Sequence, residues 1–251
     1  MNAPGPDPQP LTPAAELLGE ALRVYARNAL MLIAVAAAGA LAGNLIGLLV
    51  SPVTDARFDL VDLVIVVLFA GLAFGLLAPV WLLAMLALRQ EPLTAVAVLY
   101  GFVTLSPRFF TLGLLLGTGV GALVLLSVYV ELLSLPALAV LIFLGVRLSL
   151  VGPVIAQEGG TPLRALVRSW RLVEGHWWRT FVIQLPVGVF AFILSEFAGR
   201  VAGGADATIV VILVSAATLG VSAPLIALVE TALYQEYSGQ RPPAVEAGPP
   251  G

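Results

Sequence analysis

Six apolar stretches, each long enough to cross a lipid bilayer as a helix, constrain this chain more than any other feature. From Ala29 to Val50 there is no charged residue, and about 20 such residues span a hydrocarbon core of about 30 Å. The others run from Leu63 to Leu88, Phe109 to Val130, Leu135 to Ala156, Phe181 to about Phe197, and Ala207 to about Tyr234. Inside lipid a backbone must satisfy its own hydrogen bonds, so runs of this length are helices. Hydrophobic residues make up 60% of the 251 and charged residues 11%, where ordinary soluble domains carry about 25% charged residues. The expected fold is all-α, a polytopic membrane helix bundle with six transmembrane helices. A single domain is expected over residues 11–235, with disordered tails at 1–10 and 236–251, both rich in proline.

Between the fourth and fifth runs lies a shorter and more polar segment. Thr161 suits a helix N-cap and Pro162 its first position, and Gly175 offers a stop. Leu163, Leu166, Val167 and Trp170 fall on one face of this helix and Arg164, Arg168 and Arg171 on another, the spacing of an amphipathic helix. At about 14 residues it is too short to span and is expected to lie in the headgroup plane. The three arginines are candidate anionic-lipid contacts, each worth about 1 kcal/mol against an anionic leaflet. Trp170, Trp177 and Trp178 are candidate interfacial anchors.

A pattern links the runs. Helix openers at Thr12-Pro13, Glu91-Pro92 and Thr161-Pro162 precede the odd runs, and the even runs carry Ala78-Pro79, Gly152-Pro153 and Ala223-Pro224. Both series recur at about 70 to 80 residues, the mark of an internal repeat. The expected architecture is three repeats of an interfacial amphipathic helix plus a transmembrane hairpin. Glycines at four-residue spacing, Gly39, Gly43 and Gly47, and again Gly113, Gly117 and Gly121, predict close helix contacts. All twelve basic residues are arginine, and those outside the runs gather on the side holding the N-terminus, with Arg57 and Arg200 opposite. The positive-inside rule then places both termini in the cytoplasm of a multipass cell-membrane protein.

Catalytic chemistry finds little support. Without cysteine or lysine there is no thiolate, no Schiff base and no phosphate-binding lysine of a P-loop. His176, the one histidine, sits between a glycine and two tryptophans and reads as an interfacial residue. No catalytic residue, metal site or cofactor is expected, and nucleic acid is not an expected partner.

Arg147 interrupts the fourth run. Counted along an unbroken helix it lies near the bilayer midplane, where a lone charge costs at least about 2.5 kcal/mol. Glu230, on the sixth run, is the acid expected to pair with it, with backbone carbonyls near Pro153 or Pro224 as rival acceptors.

Arg147, Pro153, Glu158-Gly159, Pro162, Ala165-Leu166, Ser169-Trp170, Leu172, Gly175 and Trp178 resemble the signature of the membrane domain attached to some bacterial glycerophosphodiester phosphodiesterases and of related stand-alone multipass proteins. The resemblance is best over residues 145–185. It implies a membrane domain that occurs with or without the enzyme, and this chain lacks the catalytic barrel. The functional expectation is a non-catalytic protein that organises membrane lipids, anionic headgroups among them, or a membrane protein partner at the cytoplasmic leaflet. A transporter or permease subunit for a lipid-like or small solute is the alternative, suggested by Arg147 and the inner prolines.

Overall fold

The computed structural model describes residues 11–50, 60–129, 134–203 and 208–239. The expected tail at 1–10, the loop with Arg57 and the end of the chain with Arg241 lie outside them. The described residues form eight helices and no strand: α1 (Ala14–Val50), α2 (Leu60–Leu88), α3 (Ala95–Tyr129), α4 (Ser134–Leu148), α5 (Val151–Glu158), α6 (Pro162–Val173), α7 (Trp177–Gly203) and α8 (Thr208–Tyr237). Six stretches are long and apolar enough to cross a membrane, the fourth formed by α4 and α5 together. The chain is an all-helical, multipass membrane protein.

Small residues set how closely the long helices approach. A Cβ at Gly113 of α3 would meet the Ala70 carbonyl oxygen of α2 at 2.6 Å, and one at Gly39 of α1 the Leu76 carbonyl oxygen at 2.7 Å. On α8, Gly220 rests against Ala37 of α1. Dispersion between backbones in contact, rather than water exclusion, holds helices together in lipid, so these positions fix the pairs α2–α3, α1–α2 and α1–α8.

Two expectations change. The segments from Pro13 and from Pro92 are not separate surface helices; they run unbroken into α1 and α3. Neither Arg27 nor Pro107 ends its helix, since a missing N–H is tolerated where neighbouring helices hold the backbone. Of the three short helices expected, α6 alone stands apart. At the other end of the chain, Glu236 and Tyr237 belong to α8 rather than to a tail.

Length explains where the core sits. At 1.5 Å per residue α1 is about 55 Å long and α8 about 45 Å, well beyond a hydrocarbon core of about 30 Å. At one end the last turns of α2, α5, one face of α6 and residues 222–235 of α8 join the first turns of α1 in one apolar cluster, in which α5 packs on α2, α6 and α8. Tyr234, Leu83, Ile155 and Leu17 are fully buried there.

Candidate functional site

The α4–α5 break creates the site. Pro153 lacks an N–H and its ring clashes with the carbonyl four residues back, that of Ser149, so α4 stops at Leu148 and α5 starts at Val151. Arg147 therefore lies in the last turn of α4 instead of mid-way along an unbroken helix. Its Nη1 donates to the Trp170 carbonyl on α6 at 3.2 Å. Its guanidinium carbon lies 4.8 Å from the Trp170 ring centre and 5.6 Å from that of Phe143, within cation–π range. Ser169, fully buried, returns a hydrogen bond from its Oγ to the Arg147 carbonyl at 2.9 Å. Arg147 and Ser169 thus fasten α6 to the end of α4.

Glu230 is not part of this arrangement. Its carboxylate accepts from the Trp81 indole N–H at 3.0 Å, and Trp81 packs on Phe109 with ring centres 5.1 Å apart. The expected Arg147–Glu230 pair is corrected on both sides: the arginine finds a carbonyl and two rings, the acid an indole.

Aromatic residues extend the junction onto α7. Trp177 stacks on Phe143 and Phe181 at 5.9 and 5.4 Å, and its indole N–H donates to the Phe143 carbonyl at 3.4 Å. Trp178 meets Trp177 edge-on at 4.7 Å and is 72% exposed. Trp170, Trp177 and Trp178 are brought together as one cluster, the disposition of residues that prefer a membrane–water boundary.

No family model, curated protein or solved structure matches the chain. What the site can do therefore rests on its own chemistry.

Helix α6 carries three stripes rather than two. Ala165, Ser169, Leu172 and Val173 are buried against the bundle. Leu163 and Val167, on the apolar face expected from the sequence, are 63% and 53% exposed, with Trp170 beside them. Arg164, Arg168 and Arg171 form a separate exposed stripe. Arg168 pairs with Glu158 at 3.0 Å, while Arg164 and Arg171 have no partner among the described residues. Such a helix can rest its second apolar stripe on acyl chains with its arginines at headgroup level.

Sequence reasoning missed a polar network at the same end of the bundle. Arg179 of α7 pairs with Glu236 of α8 at 2.9 Å, and the same guanidinium donates to the Tyr237 hydroxyl and the Thr12 carbonyl. Glu236 also accepts from the Thr12 backbone N–H, and Thr180 shares a hydrogen bond with Tyr237 at 3.0 Å. His176 stacks on Tyr237 with ring centres 4.9 Å apart. The available signal was an acid in the last turn of a long helix; reading 236 onward as a tail hid it. Nearby, an apolar crevice of about 340 Å³ between α1, α7 and α8 is lined by Leu18, Leu22, Pro186 and Leu225 among others. Arg147 is not part of its lining.

Proposed function

We propose that the chain is a non-catalytic membrane protein that organises lipid, anionic headgroups in particular, or a membrane partner at the cytoplasmic leaflet of the cell membrane. The reading includes cytoplasmic termini, three related helical units, and kinship with the membrane domain of glycerophosphodiester phosphodiesterases. The observation that carries it is the triple striping of α6: one face locked to the bundle, one apolar and exposed, one cationic and exposed. A loop helix that served packing alone would not need two exposed stripes of opposite character.

Arg164 and Arg171 test the reading without touching the fold, because neither has a partner in the bundle. Arg164→Gln/Arg171→Gln should lower the enrichment of phosphatidylglycerol around the protein in mixed nanodiscs by up to about thirtyfold, since each arginine contributes about 1 kcal/mol near an anionic surface. Unchanged enrichment would refute a lipid-contacting α6.

A further inference from the structure

Three consecutive residues at the α5–α6 turn are each met by an arginine from a different part of the chain. Arg89, just past the end of α2, donates to the Gln157 side-chain oxygen at 3.4 Å. Arg168 of α6 pairs with Glu158. Arg108 of α3 reaches Gly159, where a Cβ would sit 3.3 Å from its Nη1. Three guanidinium groups thus gather at one turn, where Arg168 alone pairs with the Glu158 carboxylate, which also accepts from the Tyr234 hydroxyl at 2.8 Å.

The donors are left incomplete. Arg108 is partly buried and has no acceptor among the described residues. The side-chain amide nitrogen of Gln157 is buried and unpartnered. Gly159 has φ 68° and ψ −148°, a region open essentially to glycine alone, so a bare backbone is kept where the Arg108 guanidinium approaches. Buried donors without acceptors are costly. Planar guanidinium forks arriving from several directions suit a tetrahedral oxyanion better than a single carboxylate.

The geometry points to a phosphate-binding site at the α5–α6 turn, built by the guanidinium groups of Arg89 and Arg108 and the free amide of Gln157. Position argues for a lipid source. Arg89 directly follows the apolar stretch that ends at Leu88, where a bilayer places its phosphates, and Arg108 reaches the same turn from α3. The site deepens the function proposed above and rests on it for the source of the phosphate; free phosphate offers the same chemistry.

Purified full-length protein in a neutral detergent provides the test, with thermal unfolding followed by tryptophan fluorescence. Dioleoyl phosphatidic acid should raise the midpoint saturably, and dioleoylglycerol, which has the same acyl chains without the phosphate, should not. Arg89→Gln/Arg108→Gln should raise the lipid concentration for the half-maximal shift at least tenfold, whereas Arg200→Gln, at the far end of α7, should leave it unchanged. If the double variant does not fold, Arg89→Gln alone carries the test. Its side chain is exposed and makes one long hydrogen bond, and it should still raise that concentration at least threefold. A shift with sodium phosphate alone, absent with sodium chloride at equal ionic strength and lost in the variant, would assign the site to free phosphate. The proposal is overturned if the variant responds as the wild type does, or if neither probe shifts the wild type. Nanodisc enrichment that depends on Arg164 and Arg171 but not on Arg89 and Arg108 would sink this site while leaving the wider reading intact.

Discussion

At the scale of single residues, the partners that Glu230 and Arg147 find in the apolar bundle are not the ones that charge alone would choose. Glu230 takes the Trp81 indole, and Trp81 fits because residue 152 is glycine: a Cβ there would overlap the indole ring. Gly152→Ala should therefore push Trp81 off Glu230 and destabilise the protein by about 1–3 kcal/mol, the range for forced overpacking. Trp81→Phe should cost a similar amount by leaving the carboxylate without its donor, and combining the two should add little, since both break the same bond. Detergent thermal unfolding reads all three; a full sum in the double variant would show that Gly152 and Trp81 act separately. Arg147 follows the same rule with a carbonyl and two aromatic faces. Its need for a partner was legible in the sequence, but its identity was not, because Trp170 comes within reach only once Pro153 has ended α4.

Among the elements, what could be read depended on whether the signal was local. Six spans were legible because run length against bilayer thickness is a property of each segment alone, and α6 was legible from its proline and its periodic arginines, although Thr161 at its start makes no side-chain capping hydrogen bond. The continuity of α1 and α3 was not, because whether Pro107 breaks a helix depends on α2 lying alongside, as in the hydrogen bond from Ser106 to the Gly75 carbonyl at 2.7 Å. The buried face of α6 was not legible. Apolar periodicity marked Leu163 and Val167, whereas the face that packs on the bundle includes Ser169, because the Arg147 carbonyl needs a donor at that point. Ser169→Ala should leave that carbonyl unsatisfied, at a cost of about 1–3 kcal/mol, and loosen α6 from the bundle. Hydrogen exchange would show faster exchange across 162–173 with α1 and α2 unchanged; equal protection in α6 would mean that its apolar contacts alone hold it.

For the whole molecule, the decisive contact joins the two ends of the described chain. Thr12 precedes α1 and Glu236 lies in the last turn of α8, and Arg179 at the start of α7 binds both. The network closes the bundle at the end where the helices outrun the bilayer and where α5, α6 and the proposed phosphate site also sit. Its side chains are largely covered, Glu236 being 6% exposed and Arg179 21%, so it should exceed the 0.2–1 kcal/mol or so of an open surface pair. Arg179→Gln and Glu236→Gln should each lower stability by about 1–3 kcal/mol, because each strands a partly buried charge. The double variant should recover about 1–2 kcal/mol of the summed loss as coupling. High salt should weaken the wild type only slightly, since covered pairs are poorly screened. Strict additivity across this cycle, measured by thermal unfolding in one detergent, would mean that the two ends are held by the packing of Leu17 and Tyr234 rather than by the ion pair.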